Sequence, residues 1–419
     1  MPFEKVKGTA DFYPEDREVM YQVYQKLRDI ARRYSFQEVE SPAFETMPLL
    51  TAKSGEEVKT QIFCLERRAR EELGLRFDLT VPQTRMFIAK QKELSKPVKW
   101  FCFSRMWRYE QPQKGRMREF YQFNIELFGS DRPEADAEII SVLIDWLTAL
   151  GLTEKDFFIK INNRDLLEGL LGDFVAKSRI EEVVRLIDKS GKISEEEFDR
   201  LLADSGVKDI ERVKEIIKSK GSPAEILPFI ENLAKNEKSQ NGYNRLKAVV
   251  ELLDPKFVKI DLSVARGLAY YTGTVFECFD IDEKFRAIAG GGRYDNMVQL
   301  FGGEKTPATG FAMGFSVLSL VLDERGLLPK PDLGPDYFVA IVNDDVRKNA
   351  MEIVRKLRKK SKVDYDLSGR NLTNQLQYAA GIGAKKTVIV GPKDLENKQV
   401  TVRDMVSGEE EKVLISKFS

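Results

Sequence analysis

Two neighbouring stretches, 98–110 and 118–128, constrain the fold more than any other part of the chain. In the second, Tyr121, Phe123, Ile125 and Leu127 alternate with Gln122, Asn124 and Glu126. Successive side chains of a strand point to opposite faces, so this period of two predicts a strand with one apolar and one polar face. In the first stretch Arg108 and Glu110 share a face, and residues 111–117, with a proline and a glycine, read as a connecting loop. The pair predicts an antiparallel hairpin whose polar face carries Arg108, Glu110, Gln122 and Glu126. Two readings of that face stand side by side. It is a sheet surface turned to water, or it is the wall of a site, because Arg, Gln and Glu rather than Lys and Thr adjoin one another.

The surroundings mix helix and strand. Pro14-Glu15-Asp16 opens a helix with Val19, Val23, Leu27, Ile30 and Tyr34 at helical spacing. A β-leaning run, 36–40, stops at Ser41-Pro42; 75–79 reads as a short strand, and Thr80 as the cap of a helix with Pro82 in its first turn. From 165 to 255 the chain turns Glu- and Lys-rich with helical apolar spacing, which predicts a separate all-helical insert. The mixed pattern resumes at 276–279, at Gly290 to Asp295 and at Gly310 to Gly314. A Pro- and Gly-rich linker, 328–335, leads to a tail read as strand (337–342), helix (345–360), strand, helix (372–380) and strand (387–391), a small α/β domain.

Composition then narrows the chemistry. The chain of 419 residues contains no histidine. That excludes Ser-His-Asp and Cys-His nucleophile systems, an imidazole base and any His-ligated metal, so no metal ligands are expected. Arginine, carboxylates, tyrosine or a bound ion must carry any catalysis. Lys plus Arg and Asp plus Glu number 67 each, so the total charge points to no polyanionic partner. Charge is nonetheless local: eight basic residues against Glu352 alone lie between Arg347 and Lys362, which reads as a nucleic-acid contact or a solvated helix face. Cys64, Cys102 and Cys278 form no CxxC pair and read as reduced thiols. The N-terminal residues lack an apolar signal region and no 18-residue uncharged run occurs, so a cytoplasmic protein without membrane spans is expected. Neither a Walker A loop nor a GxGxxG is present.

Five short motifs in order resemble one family, the histidyl-tRNA synthetases, class II aminoacyl-tRNA synthetases, over essentially the full length. They are Lys7-Gly8-Thr9-Ala10-Asp11-Phe12-Tyr13-Pro14; the helix, strand and Pro42 similar to motif 1; Phe103-Ser104-Arg105-Met106-Trp107-Arg108-Tyr109-Glu110 with its loop to Phe120, similar to motif 2; Ala265-Arg266-Gly267-Leu268-Ala269-Tyr270-Tyr271-Thr272-Gly273; and Gly290 to Asp295. The resemblance implies an α+β class II catalytic domain, an antiparallel sheet flanked by helices, over 1–164 and 256–327. A helical insertion (165–255) interrupts it, and a linker (328–335) leads to a C-terminal α/β anticodon-binding domain (336–419). It implies ligation of histidine to its tRNA through a histidyl-adenylate, with ATP carrying Mg²⁺ and no dedicated protein site for the ion, in a homodimer joined through motif 1.

By the same resemblance Arg108 and Arg266 are the catalytic pair. Arg108 would take the α-phosphate, Glu110 the adenine, Arg116 the terminal phosphates and Phe120 the adenine face, with Arg293 a further ATP contact. Glu126 and Tyr271 would read the imidazole nitrogens beside Tyr270 and Tyr294. Asp78, Thr80 and Gln122 would hold the α-ammonium, while Arg266 reaches both the carboxylate of histidine and the α-phosphate. Gln113, Lys114 and Arg116 would meet the acceptor end of tRNA. Two positions depart from the pattern. Val317 follows Gly310-Phe311-Ala312-Met313-Gly314 where motif 3 carries an arginine for the terminal phosphate, and Ala269 stands where Asp is frequent. They keep two alternatives in view: a regulatory paralogue that binds an enzyme of histidine biosynthesis without aminoacylating, and a tRNA-binding module resting on the basic tail helix.

Overall fold

The computed structural model describes residues 3–52, 60–66, 71–266 and 270–418. They form two compact units, Met1–Asp11 with Gln22–Pro329, and Phe12–Tyr21 with Lys330–Ser419.

The larger unit is built on a nine-stranded sheet. Its strands are β1 (Gln37–Glu38), β4 (Val98–Trp107), β5 (Glu119–Phe128), β6 (Phe157–Asn163), β7 (Lys220–Gly221), β8 (Val258–Asp261), β9 (Thr274–Asp280), β10 (Ala289–Arg293) and β11 (Ala308–Gly314), in the order β1-β4-β5-β11-β10-β9-β6-β8-β7. A separate ribbon pairs β2 (Phe44–Thr46) with β3 (Leu73–Leu75). The expected hairpin is β4–β5, antiparallel over ten residues each, with Trp107 opposite Glu119. Its two faces separate as the alternation requires. Phe123 packs edge-on against Trp146 at 5.6 Å, and Trp146 against Phe311 at 5.4 Å, beneath the helix Pro133–Ala149. Gln122, Asn124 and Glu126 occupy the other face and are buried, Glu126 completely. The polar face is covered rather than turned to water. At its far end the helix Thr80–Lys90 closes the layer, with Phe87 stacked on Phe128 at 4.6 Å.

Two local expectations are corrected. The strand expected at 75–79 ends at Leu75, because the residues beyond it serve other groups: Arg76 donates to the carbonyls of Ser41, Pro42 and Arg105, and the Phe77 carbonyl accepts from Arg108. Thr80 is the first helical residue rather than the cap; Asp78 Oδ1 accepts the Val81 N–H at 3.0 Å, which leaves the Thr80 hydroxyl to serve another partner. The segment 165–255 is helical except for β7, which pairs with β8 and extends the main sheet. Its helices Arg164–Leu171 and Glu237–Val250 pack so closely that a Cβ on Gly242 would lie 2.1 Å from the Leu166 nitrogen. No helix of the described residues is long and apolar enough to cross a membrane.

The smaller unit holds a five-stranded sheet, β13-β12-β14-β15-β16, of β12 (Tyr337–Ile341), β13 (Val363–Tyr365), β14 (Lys386–Val390), β15 (Gln399–Asp404) and β16 (Glu410–Leu414). The first three are parallel, as alternating strands and helices predict, and the closing hairpin β15–β16 was not foreseen. The basic helix, Arg347–Leu357, buries Ala350, Ile353, Val354 and Leu357 and leaves Arg347, Lys348 and Arg355 exposed.

Candidate active site

The covered polar face of β5 encloses a small pocket. Glu126 Oε1 accepts from the Thr80 hydroxyl at 2.6 Å and from Asn124 Nδ2 at 3.3 Å, and the Tyr294 hydroxyl donates to Oε2. The room for this carboxylate comes from β11, where Gly310 lies opposite Glu126; a Cβ there would sit 2.0 Å from Oε2. Burial pushes the Glu126 carboxyl up to about 8, against the opposing effect of its three hydrogen-bond donors. Burial likewise raises Asp78, although Val81 and Arg108 favour its charge. In front of Glu126 lies a cavity of about 60 Å³ lined by Asp78, Thr80, Gln122, Tyr270, Tyr271 and Tyr294 among others, with Arg108 and Arg266 at its mouth. Tyr270 meets Tyr294 edge-on at 6.0 Å, so aromatic walls surround a polar floor. Such a pocket suits a small ring with edge nitrogens.

The pocket opens into a cleft of about 440 Å³ lined by Arg108, Arg116, Arg266 and Arg286, with Glu110 and Glu277 between them. Arg108 Nε donates to the Phe77 carbonyl at 2.8 Å, and its guanidinium carbon lies 5.5 Å from the centre of the Phe120 ring. Arg116 is paired with Glu110. Arg266, with a left-handed φ of 52°, donates from Nη1 to Glu277 Oε1 at 2.8 Å. A side chain on Gly290 would place its Cβ 2.0 Å from that same nitrogen, so glycine there is what admits the guanidinium. Burial disfavours the Arg266 charge, but Tyr271, Glu277 and Tyr270 outweigh it and hold the group protonated. A non-glycine residue held in the left-handed region is strained backbone, a feature that gathers at functional sites. Four permanent cations around one cleft form a receptor for a polyanion. No cluster of three or more carboxylates or cysteines that could hold a metal ion occurs among the described residues.

The family model for histidyl-tRNA synthetase matches residues 8–318, and that for the anticodon-binding domain matches 336–419. The chain belongs to the histidyl-tRNA synthetase family. It is 42% identical to the histidine–tRNA ligase of Thermococcus kodakarensis over 423 residues, covering 98% of this chain and 96% of that one. It is 41% identical to that of Haloarcula marismortui over 424 residues, covering 99% and 97%. The histidyl-tRNA synthetase structure from Nostoc sp. PCC 7120 superposes with a TM-score of 0.84 at 27% identity, covering 100% of this chain and 99% of that one.

Of the residues the histidyl-tRNA synthetase motifs single out, Asp78, Thr80, Arg108, Gln122, Arg266, Tyr270, Tyr271 and Tyr294 line one pocket, with Glu126 behind Thr80 and Tyr294. Glu110, Arg116 and Phe120 line the adjoining cleft. Gln113 and Lys114 lie exposed in a tight turn closed by hydrogen bonds between Gln113 and Arg116. Arg293 is not brought to the cleft. Its guanidinium is 1% exposed and binds Asp136 at 2.8 Å, Asp295 at 3.0 Å and the Ser130 carbonyl at 2.9 Å. The physical reason is strand alternation: Gly290 and Tyr294 face the pocket, so Arg293 faces the helix Pro133–Ala149. Ala269 lies outside the described residues, and Val317 lines the cleft. Two cleft residues escaped the motifs. Glu277, a charge interrupting the apolar strand β9, was open to notice; Arg286 carried no signal beyond its type.

Proposed function

We propose that the protein is a histidine–tRNA ligase. It joins L-histidine and MgATP to give histidyl-adenylate and pyrophosphate, then passes the histidyl group to the 3′-terminal adenosine of tRNA(His). The observation that carries this reading is the meeting of a carboxylate-floored aromatic pocket with a four-arginine cleft. An imidazole in the pocket displaces the Tyr294–Glu126 contact and takes up Glu126 and Tyr271 at its two nitrogens; Asp78, Thr80 and Gln122 hold the α-ammonium. Apolar side chains of similar size are rejected because they leave these buried polar groups unpaired.

In the first step a carboxylate oxygen of histidine attacks the α-phosphorus in line, and the bond to the bridging oxygen breaks as pyrophosphate leaves with its electron pair. The two anions repel, so position and fixed positive charge do the work. Arg108 and Arg266 supply both, clamping the α-phosphate from the side that meets the amino acid. No side-chain base is needed, which reconciles the reaction with a chain lacking histidine. ATP separates Arg116 from Glu110: the arginine turns to the terminal phosphates and the glutamate to the adenine, which stacks on Phe120. Gln113 and Lys114 meet the acceptor end, and the unit at 336–419 meets the anticodon. We place the catalytic domain at 1–164 and 256–327, the insertion at 165–255 and the linker at 328–335. The enzyme acts as a cytoplasmic homodimer.

The regulatory alternative is not favoured, since the chain retains both the anticodon-binding match and the Arg266, Tyr270 and Tyr271 of its motif. Charging of tRNA(His) transcripts with labelled histidine tests the reading. Histidyl-tRNA formed only in the presence of ATP supports it; pyrophosphate release without charging sinks the transfer step.

A further inference from the structure

The cleft poses a charge-balance problem. ATP brings a triphosphate, yet most cleft cations are committed: Arg116 to Glu110, Arg266 to Glu277, and Arg108 to the Phe77 carbonyl. In the cleft lining, where motif 3 carries an arginine, Val317 offers only methyl groups. Arg286 is the exception. It lines the same cleft and has no hydrogen bond or ion pair among the described residues, and the charges that act on it are those of Arg116, Glu110 and Arg108. Partial desolvation in the cleft, and then repulsion from Arg116 and Arg108, lower its affinity for the proton, with Glu110 opposing them. Such a cluster is stabilised by an anion between its members.

The fold brings Arg286 to the same cleft as the position that lacks the arginine. β10 and β11 pair antiparallel with Ala289 opposite Met313, and the Gly314 N–H donates to the Ile288 carbonyl at 3.3 Å. The ladder ends there: past Gly314 the chain turns into the helix Phe315–Glu324, whose first turn carries Val317, and before Ile288 it runs back through Arg286, so both residues line the cleft from the same end of this strand pair. The turn that carries Arg286 is anchored: Asp280, buried, accepts the N–H groups of Lys284 at 2.9 Å and Phe285 at 3.0 Å.

We infer that Arg286 binds the terminal phosphates of ATP in place of the arginine that Val317 replaces, so that the leaving pyrophosphate departs from a contact built on the β9–β10 turn. This rests on the reading of the cleft as an ATP site. The test is equilibrium binding of MgATP and of AMP to the full-length protein, which needs no histidine turnover, followed by pyrophosphate exchange. Arg286→Ala should weaken MgATP binding roughly 10- to 100-fold, the range for a lost charge-assisted contact, and leave AMP, which lacks the terminal phosphates, unchanged. KM for pyrophosphate should rise with that for ATP, with KM for histidine unmoved. Arg286→Lys, which keeps the charge, should recover most of the loss. An unchanged ATP affinity, an equal loss for AMP, or a lysine variant as weak as the alanine one would overturn the assignment. A wild-type protein that binds ATP over AMP but shows no histidine-dependent exchange would instead sink the ligase reading while leaving Arg286 to be judged on binding.

Discussion

Replacing Glu126 with glutamine isolates the electrostatic cost of the pocket floor. Glu126 is completely buried, and its carboxyl is pushed from 4.5 up to about 8. Between those values the folded protein holds a proton that the unfolded chain has released, so stability falls as pH rises through this window and is flat outside it. At about 1.4 kcal/mol per pKa unit, the loss attributable to this one group reaches about 5 kcal/mol at most by pH 8. A glutamine in its place would keep the shape and still meet Thr80 and Tyr294, because a tyrosine hydroxyl both donates and accepts, but it has no proton to exchange. The assay is urea unfolding of Glu126→Gln and the parent at several pH values, followed by tryptophan fluorescence. Trp100, Trp107 and Trp146 all lie in the larger unit, so the signal reports the unit that contains Glu126. The difference between the two proteins should grow by up to about 1.4 kcal/mol per pH unit in favour of the glutamine variant from about pH 5 to about pH 8. Parallel stability curves would show that the carboxylate is solvated or otherwise compensated, and would refute the argument.

Three further outcomes are expected. Arg266→Ala should cut the rate of adenylate formation by more than about tenfold while weakening histidine binding, read by calorimetry, far less, the pattern of a contact made mainly in the transition state. Asp136→Ala should cost about 3–5 kcal/mol of stability by leaving Arg293 buried without one of its two carboxylate partners; KM for ATP in the folded fraction should not move, and a selective rise would return Arg293 to the ATP site. Reversing charge at two exposed positions of the basic helix and the turn that follows it, Arg355→Glu with Lys359→Glu, should weaken tRNA binding and reduce its salt dependence while pyrophosphate exchange is unaffected. Intact tRNA affinity would make that helix a solvated face.

Much of this architecture is legible in the chain because it is written in local period. The alternation along Gln122–Phe128 defines β5 and even sorts its residues between faces, and the same rule applied to β10 would have turned Arg293 away from the pocket. What period two cannot say is what covers each face. Thr80 and Tyr294 reach Glu126 from 46 and 168 residues away, so the burial that raises its pKa belongs to the tertiary fold. Leu79 rather than Thr80 is the cap residue, and Asp78 before it accepts the Val81 N–H, because the Thr80 hydroxyl is needed at Glu126, a partner 46 residues away that no local pattern reveals. The closing hairpin β15–β16 is short and mostly polar on its outer strand, and lacks the alternation that exposed β5. Arg286 lies in the turn between β9 and β10, and only the folded cleft brings it together with Arg108, Arg116 and Val317.

The central claim is that this pocket and cleft activate histidine, and ATP–pyrophosphate exchange measured with each of the twenty amino acids tests it most directly. Exchange that requires histidine, and falls when Arg108 or Arg266 is replaced, is the predicted result. Silence with histidine, or exchange driven equally well by another amino acid, would contradict it.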